Sequence, residues 1–544
     1  MKRLFFFICA LVLLCSPSSF AAVEWDGTSA PWTKGTGTET DPYLIETPQH
    51  LSYLSEMVSA GINTYKGKYF KQAKDFDMKS LVFTPIGLSA TYPFNGKYDG
   101  NNKSIANLNI SGDNDNNYIA LFGYISNAAI RNVIIEGNFK STVSYRNYAA
   151  GIVAYGINTN VDNCKNKSNI AISSKYAAGI MGQAQGKCVI TNCSNVGNVN
   201  SSYYAAGIVG IAGYEKTNTT TIYNCSNYGK ISSFFESSYS GGATPIVCSG
   251  GIVGRVQDTC VVEKCSNTDT ISSIGRATYS SVKPHTYSGG IIGNDEYGQS
   301  RLNECFNIGS ILSSTTEYGA SSSGGIIGYG YVDAWSKKGV INNCYVRCNY
   351  ISTATKSSDA GVYGIANRHY TITNCYFAGV LNGNYKYGIC SNASAVGNCY
   401  FNSDCGASTS SKYGTAKTTA QLKSASMPIL LNGSETGTIW VMDTNNSNDW
   451  YPIFGWQAAP TYKITATCDD SQGSVSGGGN YSEGTIVTLT VTPKEGYMFS
   501  GWSDGDKTNP RSVTVGTADA TYTALFVKMR YVITVNQDCS VNVQ

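Results

Sequence analysis

Short apolar runs broken by Gly, Asn and Ser fill the middle of the chain, and they return in phase. The stretch "YAAGIMGQAQGKCVITNCSNVGNV", from Tyr176 to Val199, comes back as "YAAGIVG…TIYNCSNYGKI", "CSGGIVG…VVEKCSNTDTI" and "YSGGIIG…RLNECFNIGSI". Aligned on cysteine, successive units read C-x-N-x-[GSD]-x-[IV] at Cys164, Cys193, Cys225, Cys265 and Cys305, with looser copies at Cys344, Cys375 and Cys399. An aliphatic residue stands three places before most of them (Ile190, Ile222, Val262, Leu302, Ile341, Ile372), and a Gly-Ile pair comes earlier (Gly151, Gly179, Gly207, Gly251, Gly290, Gly325). The interval between these cysteines runs from 24 to 40 residues, a spacing that marks a solenoid, propeller or array.

No unit carries a helical stripe, which argues against helical solenoids. The aliphatic residue and the cysteine three places later have opposite parity on a straight strand, so a corner between them is needed to turn both inward. Asn immediately precedes the cysteine in most copies (Asn163, Asn192, Asn224, Asn343, Asn374, Asn398), and Asn tolerates the left-handed backbone such a corner demands. This pattern predicts an all-β protein, a right-handed parallel β-helix. Equivalent residues then stack about 4.8 Å apart. The cysteines Cys164, Cys193, Cys225, Cys265, Cys305, Cys344, Cys375 and Cys399 form a buried structural ladder of free thiols, and the corner Asn side chains form stacked amides. Parallel stacking does not present the dihedral a disulfide needs. Cys188, Cys248, Cys260, Cys348, Cys390 and Cys405 fall outside the column and are left open to pairing.

The flanks read differently. Lys2, Arg3 and "LFFFICALVLL" form a secretory signal, with cleavage expected after Ala21, so residues 1–21 are a leader and the chain is secreted or displayed at the cell surface. No second apolar run is long enough to span a bilayer, so no membrane span is expected after cleavage. Residues 22–117 read as an N-terminal capping segment, in which Leu51, Leu54, Met57 and Val58 share one helix face; 118–410 is the repeat β-helix; 411–458 is a C-terminal cap in which Trp440, Trp450 and Trp456 would plug the open end. From 461 to 528, alternating β-branched strands and Gly-rich turns predict a small β-rich domain. Residues 529–544 echo its start and read as a further copy or a terminal strand.

The "GGIVG…NC.N.G.I" units resemble the GLUG-type repeats of bacterial surface proteins, and "GTGTETDPYLIETPQHLSYLSEMVSAG" and "GTAKTTAQLKSASMPILLNG" resemble the segments that lead into and close such arrays. The 461–528 segment resembles a divergent internalin-type B repeat. These resemblances imply a surface-exposed bacterial protein. They say little about activity, because such repeats occur in adhesins and beside protease domains alike.

Composition narrows the chemistry. Charged residues make up 14% of the 544, and Lys+Arg 39 nearly balances Asp+Glu 36, so no nucleic-acid partner is expected. The three histidines, His50, His285 and His369, form no H-E-x-x-H, and no C-x-x-C occurs, so no metal site or cofactor is expected. Gly501-Trp502-Ser503-Asp504-Gly505 matches G-x-S-x-G, but no histidine follows it. Asp113 to Tyr124 starts like a calcium loop and lacks its Gly and Glu. No catalytic residue is assigned. Three insertions, starting near Ser232, Ser272 and Ser313, leave the repeats at one phase and are rich in Tyr, Ser and Gly. They predict a ligand-facing strip of Phe234, Phe235, Tyr239, Tyr279, His285, Tyr287 and Tyr318. The expected function is adhesion or extracellular binding of a host matrix protein or glycan. The alternatives are a carbohydrate-active β-helix enzyme, a polysaccharide lyase or hydrolase, and a passive spacer.

Overall fold

The computed structural model describes residues 22–111, 117–141, 148–173, 175–213, 219–237, 244–315, 319–331, 338–354, 360–408, 412–434, 436–458, 460–530, 533–535 and 541–543. The expected leader, the Asp113 loop's first residues, Tyr239 and Tyr318 lie outside them. The chain divides into two compact units, Met1–Trp440 and Val441–Gln544.

The first unit is a parallel β-helix. Its stacking begins with Val23–Glu24 beside Phe76–Asp77 and closes with Tyr400–Asn402 beside Thr415–Lys417, every pairing parallel. One full coil shows the plan. Val189–Thr191 lies on the first face, Ser194–Asn195 and Val199–Ser201 on the second, Tyr204–Ala206 on the third and Val209–Ala212 on the fourth. Each strand pairs with its counterpart one repeat away, so the aliphatic column runs Val161, Ile190, Ile222, Val262, Leu302, Ile341, Ile372 without a slip. A second column runs Ile110, Phe139, Ile170, Val199, Ile231, Ile271, Ile311, Ile351. Both columns are buried in one continuous core.

The corner works through backbone strain that Asn relieves. Asn163, Asn192, Asn224, Asn343, Asn374 and Asn398 all have φ between 48° and 54°. A left-handed residue rotates the next N–H out of the sheet ladder, and the following cysteine supplies the answer. The N–H of Cys164 donates to Cys193 Sγ at 3.4 Å, Cys193 to Cys225 at 3.4 Å, Cys225 to Cys265 at 3.4 Å, and Cys344 to Cys375 at 3.3 Å. Each thiol in turn donates to the carbonyl two residues back, for example Cys193 to Thr191 at 3.1 Å. A cysteine here is thus small, apolar and a hydrogen-bond relay at once. All eight column cysteines are buried and free, as are Cys188, Cys248, Cys260, Cys348, Cys390 and Cys405. Burial pushes the thiols of Cys164, Cys193, Cys265, Cys344 and Cys375 well up.

Amide ladders form in two places. Outside, corner side chains link as expected, Asn224 to Asn192 at 2.8 Å and Asn398 to Asn374 at 3.1 Å. The deeper ladder is built from the Asn two places after the cysteine. Asn166, Asn195, Asn227, Asn267 and Asn307, all fully buried, pass Nδ2–H···Oδ1 bonds of 2.7–2.8 Å from coil to coil. Each amide's second hydrogen goes to a backbone carbonyl two residues on, as from Asn227 to Gly229 at 2.7 Å. The repeat's Gly faces this ladder: a Cβ at Gly179 would collide with the Asn195 amide and the Gly207 carbonyl. The ladder stops where Asn307 meets Val346, followed by Phe377.

At the N-terminal end, the helix Pro48–Ser59 is capped by Thr47, whose side chain accepts the His50 N–H. Leu51, Leu54 and Val58 are buried in the core and Met57 packs at its edge. Trp440 does not plug the other end. It is buried against Tyr345 and Tyr376, which stack with Phe306 on the outside of the coil, because that flat column leaves apolar ring surface to cover. Trp450 and Trp456 stay 47% and 41% exposed.

The second unit holds a small β domain. One sheet orders Gly479–Ser482, Thr461–Thr467, Ala520–Lys528 and Tyr497–Trp502; the other orders Gly473–Ser476, Ile486–Pro493 and Arg511–Thr514. Ile464, Leu489, Val491 and Trp502 are central to its core. Ile533–Val535 pairs with Val541–Val543 as a separate hairpin.

Two predictions follow from the core. Lys264 and Glu304 occupy the Asn corner at φ 51°. Lys264→Asn and Glu304→Asn should each stabilise the protein by about 1 kcal/mol in urea unfolding, since a non-Asn, non-Gly residue pays that order of cost in this region. Asp295 is fully buried; its Oδ2 accepts from Tyr370 Oη at 2.9 Å and Ser300 N at 3.0 Å, while Oδ1 has no partner. Burial raises its pKa, outweighing those hydrogen bonds. Its contribution is therefore complete below the unfolded value of about 4 and is lost as pH rises through the raised folded value. Asp295→Asn should flatten the fall in stability as pH rises above about 4; an unchanged slope would contradict this.

Candidate functional site

The third and fourth faces of the coil carry tyrosine on the outside. Tyr118, Tyr148, Tyr176 and Tyr204 are register partners on the third face, with ring centroids 4.9–5.9 Å apart and nearly parallel planes. On the fourth face Tyr124 and Tyr155 stack at 4.8 Å. The two columns meet edge to face, Tyr148 against Tyr155 at 5.0 Å. One-repeat stacking brings identical rings to stacking distance, so a Tyr at a fixed phase becomes a continuous aromatic face.

Further along, register continues the third-face column from Tyr204 through Cys248 to Tyr287. Arg255 lies over the Tyr204 ring at 5.1 Å, donates to its hydroxyl at 2.6 Å and pairs with Glu296 at 2.7 Å. Beyond it the face opens into a cleft of about 590 Å³. Tyr287 and Tyr329, stacked at 4.3 Å, form one wall, and Tyr363 and Tyr387, stacked at 5.5 Å, form another. Tyr385 stands half-exposed at the rim. Polar groups reach in from His285, Ser322, Asn367, Arg368 and Ser391. His285 Nδ1 lies 3.1 Å from the Tyr287 hydroxyl. Burial pushes Tyr363 up to about 12 despite the opposing pull of Arg368, and burial also raises Tyr287, so these hydroxyls stay protonated donors.

The expected strip divides. His285 and Tyr287 line the cleft. The first two insertions are neighbours, as Ile231–Ser237 pairs with Ile271–Ala277 along its length. Phe235 packs on Tyr203 at 5.2 Å, Phe234 lies under Arg276 at 5.5 Å, and Tyr279 is exposed; none of the three lines the cleft. Tyr329, Tyr363, Tyr385, Tyr387, Asn367 and Arg368 were missed. The available signal was Tyr three places before the repeat's Gly, at Tyr148, Tyr176, Tyr204, Tyr287 and Tyr385.

Among the described residues no cluster of three or more His, Cys, Asp or Glu could hold a metal, and no helix is long and apolar enough to cross a membrane. Ser503 sits in an exposed turn after the strand Tyr497–Trp502, in a unit whose sequence contains no histidine.

Comparison with known proteins finds partial likenesses. A 118-residue stretch, 20% of this chain, is 32% identical to a protein of Evansella cellulosilytica provisionally described as a Gly-rich membrane protein; it spans 13% of that relative's length. A crystal structure from Bacteroides ovatus, provisionally described as an immunoglobulin A1 protease, aligns with 78% of this chain and 95% of its own at 18% identity and a TM-score of 0.35, too low to carry an argument. Residues 462–530, the small β domain of the second unit, match the divergent InlB B-repeat domain family.

Proposed function

We propose that this chain is a bacterial surface protein that binds an extracellular ligand, a host glycan or matrix protein, in the tyrosine cleft of its β-helix. The observation that carries this reading is the cleft itself: about 590 Å³, walled by two stacked tyrosine pairs, with convergent polar groups. Its volume falls in the range of small-molecule sites, about 300–1,000 Å³. Stacked rings are held rigid by the coil, so binding orders little that was mobile. The GLUG-like texture of the repeats and the InlB-type domain fit display outside the cell.

A second reading, a polysaccharide lyase, draws on the His285–Tyr287 contact near Arg368. Abstraction of a proton beside a uronate carboxylate, with expulsion of the glycosidic oxygen, needs a base next to a cation. A hydrolase would need facing carboxylates, and no described residue lining the cleft is acidic.

An array of glycans and matrix proteins probed with the exported chain tests the binding reading. A ligand should be retained by the parent and by Phe234→Ala/Tyr279→Ala, and weakened roughly tenfold or more, about 1.4 kcal/mol, by Tyr385→Ala/Tyr387→Ala. Equal thermal midpoints should accompany the loss. Retention unchanged in the cleft variant, or no ligand at all, contradicts the proposal; new unsaturated ends from a uronate polymer would favour the lyase.

A further inference from the structure

Two arginines lie against the same tyrosine face, and they are treated differently. Arg255 is neutralised within the fold: Glu296 takes one end of its guanidinium at 2.7 Å and the Tyr204 hydroxyl takes the other at 2.6 Å. Arg368, in the cleft, is held but not neutralised. Its Nε donates to Asn367 Oδ1 at 3.3 Å, and Asn367, 2% exposed, is fixed in turn by donating to Ser322 Oγ at 3.2 Å. The guanidinium lies 5.9 Å from the Tyr329 ring centre. Among the described residues no carboxylate pairs with Arg368, and none lines the cleft. Its charge nevertheless reaches the site, drawing down the Tyr363 and Tyr287 hydroxyls against the effect of burial.

An anchored guanidinium with its outer N–H fork free has the geometry that receives a planar two-oxygen anion. The surrounding tyrosine rings offer flat apolar faces edged with hydroxyl groups. Sugar rings present matching C–H faces and hydroxyl edges. The two features together describe one ligand chemistry.

We propose that the cleft binds a saccharide bearing a carboxylate, with the anion on Arg368 and the sugar ring against Tyr385 and Tyr387. This rests on the reading of the cleft as the binding site. Two sources supply such a sugar, an internal uronate of a polysaccharide and a terminal acidic sugar of a host glycan, and separate probes distinguish them.

The test measures binding of the full exported chain to a galacturonate tetramer and to its carboxyl-reduced neutral counterpart, and to sialyllactose and lactose. At least one acidic probe should bind tenfold or more tightly than its neutral partner, with the preference shrinking as salt is raised. Arg368→Gln should erase that preference while leaving the thermal midpoint in place, and Arg368→Lys should restore part of it. Which acidic probe responds names the source. Neutral and acidic partners binding equally, with loss on Tyr385→Ala, would overturn the carboxylate assignment and leave the cleft as the site. Binding that ignores both Arg368→Gln and Tyr385→Ala would overturn both.

Discussion

The fold depends on one hydrogen bond repeated along its axis. A left-handed corner lets the aliphatic residue before it and the cysteine after it face inward together, but it turns the cysteine N–H away from the sheet ladder. A buried N–H without an acceptor costs about 1–3 kcal/mol. The thiol of the neighbouring coil accepts it at 3.3–3.4 Å, and that thiol's own proton finds a carbonyl. Alanine would fill part of the space and accept nothing. The corner, the thiol relay and the one-repeat register therefore support one another through the cysteine-bearing coils, while at Asn132 the same corner is followed by a buried Val133.

From that register the remaining columns follow. Asn195 and Asn227 can exchange amide hydrogen bonds only because their coils overlie each other, and Gly179 and Gly207 are needed because a side chain there would collide with those amides and with the next coil's backbone. The same stacking turns a single outward Tyr into a wall of parallel rings. The candidate site thus lies on the outer face of a coil whose inner thiol and amide columns are hydrogen-bonded from turn to turn. After Cys344 the amide ladder gives way to Val346 and Phe377, and the cleft spans this change, from Tyr287 and Tyr329 before it to Tyr363 and Tyr387 after it.

The solenoid and its corners were legible in the sequence because they rest on local rules: parity across Ile190-Thr191-Asn192-Cys193, and the tolerance of Asn for positive φ. The second amide ladder was hidden although its Asn stood in the aligned pattern. A polar residue flanked by Ser and Gly reads as a turn, and only the register shows that it points into the core. The cleft was half visible. His285 and Tyr287 lie in an insertion that drew notice, whereas Tyr329, Tyr363 and Arg368 are contributed by later coils whose spacing has drifted. The Trp440 position was likewise a matter of which ring column needed covering, not of chain order.

The most direct test of the thiol relay is differential alkylation read by mass spectrometry. Treated with iodoacetamide in the native state, the chain should leave Cys164, Cys193, Cys225, Cys265, Cys305, Cys344, Cys375 and Cys399 unlabelled, and unfolding in guanidinium without any reductant should expose all eight as free thiols. Labelling of these cysteines in the folded protein, or their appearance only after a reductant is added, would contradict the account.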